Sequence, residues 1–274
     1  MSIEQLITLA LVQGITEFLP ISSSGHLILI PLLTEWPDQG LLLDVAVHVG
    51  TLGAVMAYLW ADVWRMVRGA FGFVGIRAGD GGEDRIGGGD RHLVLLVIIA
   101  TIPVVLVGLL VKDWMGDGAR SLAVIGWAMF GFGVLLYAAD RWAPAERDLR
   151  SMDLRGAVVI GLFQALALIP GTSRAGITMT AARFLGFERT EAARFSMILS
   201  IPTILAAGSL AGLELVQLGE AAATRDVAIA MALSFVSAFI AILLMMRWLR
   251  TASFTPFVVY RLVLGAILLG LAYT

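Results

Sequence analysis

Two stretches, Pro20-Ile21-Ser22-Ser23-Ser24-Gly25-His26 and Pro170-Gly171-Thr172-Ser173-Arg174-Ala175-Gly176, interrupt the otherwise apolar runs 1–34 and 156–186. Proline removes a helix hydrogen bond and glycine weakens the turn, so a straight helix is not expected through either knot. Irregular backbone at membrane depth is tolerated only where protein or a water cavity surrounds it. Each stretch therefore reads as a helix–loop–helix hairpin that enters and leaves the membrane on one side. The competing reading is a single Pro-kinked span.

Composition makes lipid the relevant solvent. Of 274 residues, 59% are apolar and 15% charged, against about 45–50% and about 25% in soluble domains. Mean hydropathy is +0.89. A disordered chain and a nucleic-acid binder are excluded, and a soluble enzyme fits poorly. The net charge of −2 names no polyanionic partner. With 0 cysteines there is no disulfide framework, thiol chemistry or cysteine metal site. The 30 glycines suit close helix packing in lipid. The start, Met1-Ser2-Ile3-Glu4, has no basic region, so a cleaved signal peptide is not expected.

Outside the two hairpins, apolar runs at residues 41–61, 93–112, 121–139, 195–212, 227–246 and 257–274 approach the length that crosses a bilayer. Basic residues set the orientation. Arg65, Arg68, Arg77, Arg85 and Arg91 place the segment 62–92 in the cytoplasm. Arg141, Arg147, Arg150 and Arg155 do the same for 140–155, as do Arg247 and Arg250 for their turn. The acidic loops 35–38 and 214–226 then lie outside, with 112–120 outside by alternation. The glycine-rich segment 79–90 lacks a repeat period and reads as a flexible cytoplasmic loop.

The knots align with each other: Pro20 and Pro170 are 150 positions apart, as are Ser22 and Thr172, and Ser23 and Ser173. A hairpin (1–34) followed by three spans makes one unit, 1–140. A linker, 141–155, leads to a second unit, 156–274, with its hairpin at 156–186. Three spans end on the opposite side from where they began, so the second unit is upside down relative to the first. The expected fold is an all-α polytopic membrane protein with an inverted-topology repeat: about six full spans, two re-entrant hairpins and about ten helical segments, the polar tips facing one another near mid-membrane.

The tips differ chemically. An ionisable residue at membrane depth costs about 2.5–3.5 kcal/mol on insertion scales and is a functional hypothesis by default. Glu17 shares a helix face with Gln13, four residues earlier, and with nearby hydroxyls makes an oxygen-rich site suited to a hard divalent cation that also binds phosphate. Arg174, in a small-residue turn, has the fork that matches phosphate oxygens, and a helix starting after it would aim backbone N–H groups inward. Ser22, Ser23 and Ser24 precede His26. They read either as a nucleophile with an imidazole in reach or as turn and cap chemistry. Asp44 and His48, one turn apart, either bind a polar group or pair with each other. Asp62, Arg183, Glu188 and Glu191 read as ordinary interfacial charges.

The string Gln13-Gly14-Ile15-Thr16-Glu17-Phe18-Leu19-Pro20-Ile21-Ser22-Ser23-Ser24-Gly25-His26 resembles the bacterial undecaprenyl-diphosphate phosphatase family of the bacitracin-resistance type. So do Pro170-Gly171-Thr172-Ser173-Arg174-Ala175-Gly176 and Phe195-Ser196-Met197-Ile198-Leu199-Ser200-Ile201-Pro202. The resemblance covers essentially the whole chain. It implies hydrolysis of undecaprenyl diphosphate to undecaprenyl phosphate, recycling the lipid carrier for peptidoglycan synthesis and conferring bacitracin resistance. It implies a multi-pass protein of the bacterial inner membrane whose site opens to the periplasmic side. It also implies a divalent ion, Mg²⁺ or Ca²⁺. Carried over, Glu17 with Gln13 would serve the metal, Ser23 would be the nucleophile, His26 its acid/base partner, and Arg174 the diphosphate clamp. Ser22, Ser24, Gly171, Thr172, Ser173 and Gly176 would bind substrate. The first motif position is Gln13, not Glu; the family pattern admits both, and an amide is a weaker metal ligand. Partners are the substrate and membrane lipid, with no nucleic acid; homo-oligomer formation is left open. The competing class is a transporter or flippase for a polyprenyl phosphate or small anion, which would need Arg174 but no hydrolysis.

Overall fold

The computed structural model describes residues 2–34, 36–37, 39–73, 89–111, 121–217 and 225–274. The loop readings for 35–38, 79–90, 112–120 and 214–226, with Arg77 and Arg85, fall wholly or partly outside these residues. Both knots do break their helices. α1 (Ile3–Thr16) and α2 (Ser23–Thr34) flank the first; α7 (Leu154–Ala165) and α8 (Arg174–Phe184) flank the second. In the second knot Thr172 N–H donates to Ile169 O at 3.1 Å around Pro170-Gly171. Gly171 has φ +90°, as the third residue of a proline–glycine turn of type II requires.

Six helices are long and apolar enough to cross a membrane: α3 (Leu41–Tyr58), α5 (Gly89–Val111), α6 (Leu122–Trp142), α9 (Arg189–Gln217), α10 (Arg225–Leu249) and α11 (Thr255–Tyr273). The described residues thus form an all-α, multi-pass membrane protein of eleven α-helices. A separate helix, α4 (Trp60–Phe73), follows α3 and corrects the expected span 41–61. α3 ends at Tyr58 because α4 is amphipathic. Trp60, Trp64, Phe71 and Phe73 are exposed, whereas Asp62 and Arg65 turn inward to Arg194 and Asp90. Those buried charges need partners on α5 and α9, which a straight continuation of α3 would not reach.

The tightest pairings are α3 with α10, α6 with α11, α1 with α10 and α5 with α7. Small residues allow them. Gly126 and Gly265 face each other across α6 and α11, where a Cβ on Gly265 would sit 3.0 Å from Gly126 O. A Cβ on Gly14 of α1 would run into Ser237 Oγ and Ser234 O of α10. In lipid, where there is no hydrophobic drive between helices, such close approach supplies the packing energy. Outward faces are apolar, with Leu106, Leu110, Leu210, Leu213, Val216 and Leu244 exposed.

Overpacking typically costs about 1–3 kcal/mol. Gly14→Val is expected to lower the unfolding midpoint in detergent measurably. Gly131→Val, where a Cβ meets nothing within 4 Å, is expected to leave it near wild type.

Candidate active site

α1 ends on Glu17, whose N–H still bonds Gln13 O at 3.0 Å. The carboxylate is 9% exposed and takes three donors. Gln13 Nε2 and Ser23 Oγ reach Oε2 at 2.9 and 2.7 Å; Arg174 Nη2 reaches Oε1 at 2.7 Å. Arg174 also donates to Ser196 O at 3.3 Å and stands over the Phe18 ring at 5.8 Å. A carboxylate and a guanidinium buried singly would each be costly; paired and hydrogen-bonded, they hold one another.

The two tips are built alike. Ser22 has φ +73° and Ser173 φ +70°. Each caps the helix that follows: Gly25 N–H donates to Ser22 Oγ at 3.4 Å, and Gly176 N–H to Ser173 Oγ at 3.0 Å. The next residues, Ser23 and Arg174, are the first of α2 and α8, and both reach Glu17. The geometric match is therefore Ser22 with Ser173, 151 positions apart, one more than the alignment through the prolines. At this offset Gly171, in the tight turn, takes the place of Pro20. On this register Ser23 corresponds to Arg174 and Gln13 to the equally buried Gln164.

Glu17, Ser23, Ser24, Ser173 and Arg174 line a cavity of about 400 Å³, together with Asp44 and His48 of α3 and Thr203 of α9. The other expected site residues lie behind it. Ser22 is buried as a cap; Gly171 lets the turn approach Ile125 O, which a Cβ would meet at 2.6 Å. Thr172 is buried, its hydroxyl without a hydrogen-bond partner among the described residues, and Gly176 packs under Arg261.

The expected pairing of Ser23 with His26 is not formed. His26 Nδ1 faces Ser22 O at 2.6 Å, and because a carbonyl only accepts, Nδ1 carries the proton. Nε2 then accepts from Tyr260 OH at 2.5 Å, with the rings stacked. Both nitrogens are thus committed on the side of α2 away from the cavity lining. The histidine beside Glu17 is His48, whose Nε2 lies 3.9 Å from Oε2 while Nδ1 donates to Asp44 O at 2.7 Å. So Asp44 and His48 do pair, through backbone, and they also face the cavity.

Two further charges differ from their sequence reading. Arg183 is 1% exposed and bonds the Asp140 carboxylate and the carbonyls of Ala143, Pro144 and Phe187, so it is a buried staple rather than an interfacial charge. Asp62 is buried against Arg194, with a bond of 3.0 Å to Nε. Arg261 went unremarked in the sequence, although an arginine inside the apolar run 257–274 was the signal.

The family model described as "Bacitracin resistance protein BacA" matches residues 6–267. The chain belongs to that family. Within it, the chain is similar to the undecaprenyl-diphosphatases of Jannaschia sp. (strain CCS1), 53% identical over 274 residues, and of Ruegeria pomeroyi, 52% over 276 residues; each covers 100% of both chains. It is also similar to undecaprenyl-diphosphatase 1 of Rhodospirillum rubrum, 48% identical over 98% of this chain and 95% of the relative. In this BacA-family chain the two motifs noted in the sequence form facing walls of one cavity.

Removing one partner of a buried ion pair costs about 3–5 kcal/mol. Glu17→Ala is expected to destabilise by that order in SDS-induced unfolding from mixed micelles. Adding Arg174→Met is expected to restore part of the loss, since the unpaired guanidinium goes with it.

Proposed function

We propose that this protein hydrolyses undecaprenyl diphosphate to undecaprenyl phosphate and inorganic phosphate, recycling the lipid carrier for peptidoglycan synthesis and conferring bacitracin resistance. The relatives named undecaprenyl-diphosphatase support the activity. The observation that carries the site is that Ser23 Oγ and Arg174 Nη2 meet on one carboxylate beside the cavity, 2.7 Å each from Glu17.

Phosphoryl transfer needs positioning and charge neutralisation more than covalent chemistry. Arg174 turns from Glu17 to the incoming phosphate, which its fork grips bidentately. Ser23 Oγ attacks the terminal phosphorus in line, and its proton passes to Glu17 Oε2, to which it already donates. The bond from phosphorus to the bridging oxygen breaks, and undecaprenyl phosphate leaves. Water then releases inorganic phosphate from Ser23. His26 holds the strained Ser22 carbonyl and so orients Ser23, while His48 borders the reacting groups.

The donor set fits a divalent cation brought with the substrate. Glu17 offers a carboxylate, and Gln13 Oε1 is buried with no hydrogen-bond partner among the described residues. These are hard oxygen donors, which suit Mg²⁺ or Ca²⁺. No group of three or more His, Cys, Asp or Glu side chains gathers among the described residues, so phosphate oxygens would complete the shell. Such an ion would supply positive charge against the phosphate oxygens.

The site opens to the periplasmic side of the inner membrane in this reading. Asp44 and His48 lie in the first half of α3, Ala207, Gly208 and Ala211 in the second half of α9, and Val104 in the second half of α5. Loop charges assign those halves outward. The inverted repeat is supported by reciprocal packing: α1 lies against α10, and its counterpart α7 against α5, the span that matches α10. The two broken helix pairs are then re-entrant hairpins, and the prenyl tail leaves the cavity between spans into lipid.

Purified protein in detergent is expected to release phosphate from undecaprenyl diphosphate with Mg²⁺ or Ca²⁺, and to stop on chelation. Ser23→Ala and Glu17→Gln are expected to lower kcat by about 100-fold or more. Arg174→Lys, keeping charge but losing the fork, is expected to lose at least about tenfold. Normal turnover by Arg174→Lys would sink the clamp. Absence of release from folded protein would favour a carrier for polyprenyl phosphate.

A further inference from the structure

Arg261 of α11 is 0% exposed, and no carboxylate pairs with it among the described residues. Its guanidinium is satisfied by backbone carbonyls alone. Nε donates to Met129 O at 3.2 Å and Nη2 to Ala128 O at 3.3 Å, both on α6. The remaining bonds leave the bundle wall for the tips: Nη1 donates to Pro20 O and Nη2 to Gly171 O, each at 3.2 Å. Pro20 stands two residues before the left-handed Ser22, and Gly171 two before the left-handed Ser173. One planar group therefore bonds the equivalent carbonyl of both knots.

We infer that Arg261 is the positioning residue that sets the spacing between Ser23 and Arg174. It is not among the residues that line the cavity, and its hydrogen bonds go to backbone carbonyls rather than to Glu17, so it acts through the knots. From each bonded carbonyl the chain needs three residues to reach the side chain that meets Glu17. A shift of either knot is passed along that short path. The fixed fork suits this task, because it offers five N–H groups in one plane, whereas lysine offers three from one point. Gly176 belongs to the same device. A Cβ there would lie 2.9 Å from Arg261 Nη1 and 3.2 Å from Ser173 Oγ, so the first turn of α8 accepts the guanidinium only as glycine. The buried cation is retained despite its desolvation cost because four carbonyl dipoles surround it.

This inference rests on the phosphatase reading, and its test separates the two. The chain has 0 cysteines, so Ile30→Cys on α2 and Ile169→Cys in the second knot give two spin-label sites and no others. Kinetics are measured on the otherwise unaltered chain, and label distances on the double-cysteine background. Arg261→Gln is expected to lower kcat by about 100-fold, the order that a misplacement of about 1 Å costs, with KM changed less than about threefold. The distance distribution should broaden. Arg261→Lys should recover part of both, and Gly176→Ala should reproduce both through crowding. Lost kcat with an unchanged distance distribution would overturn the inference, as would a broadened distribution with normal kcat. If Arg261→Gln does not fold, the Lys and Ala variants carry the same two readings. Wild type that releases no phosphate would defeat the phosphatase reading, while the distance measurement would still report on the clamp.

Discussion

The ion pair between Glu17 and Arg174, 2.7 Å long and spanning 157 positions of sequence, is the constraint around which the rest of the molecule is arranged. Neither charge is tolerable alone at the depth where the chain carries it. Bringing them together requires both apolar stretches to break, and to break at points that face each other. Each break leaves backbone donors and acceptors that lipid cannot satisfy. The tips answer this internally, through serine caps, a proline–glycine turn and the carbonyl contacts of Arg261.

Around this centre the spans divide the work. α6 and α11 supply the floor on which both knots rest, and the glycines at their crossing let them come close enough to do so. α3 and α9 wall the cavity, contributing Asp44, His48 and Thr203. Charges away from the cavity, such as Asp140 with Arg183 and Asp62 with Arg194, tie loops and short helices to the bundle ends. Their partners lie 43 and 132 positions away, which is why they read as isolated surface charges in the linear sequence.

Much of this was legible because proline, glycine and charge act locally. The helix breaks, the six long apolar helices and the approach of the two polar tips all follow from residue type and spacing; the direct pairing of Glu17 with Arg174 does not. What escaped depends on direction rather than composition. Prolines align the knots at 150 positions, but the left-handed serines align them at 151, because the proline of the second knot sits one residue further from its serine than that of the first. His26 and Ser23 are neighbours in sequence, yet a helix start turns them to different faces, one towards Tyr260 and one towards Glu17. The end of α3 at Tyr58 was hidden because Trp60 and Ala61 are as apolar as the span before them. Only the placement of Asp62 and Arg65 against α5 and α9 separates α4 from it.

The left-handed serines carry a consequence for timing. Serine in that region gives up roughly 1–2 kcal/mol of backbone comfort. Glycine would avoid that loss, but it has no hydroxyl to cap α2 or α8. Retaining serine at both places ties each bend to a side-chain bond, so the bend cannot relax without uncapping its helix. The ordering of Ser23 and Arg174 is thus completed once, when the chain folds. For the proposed reaction, an arriving lipid head group meets a backbone already set, from which only the Arg174 side chain has to turn, and the entropy of assembling that backbone does not recur with each turnover.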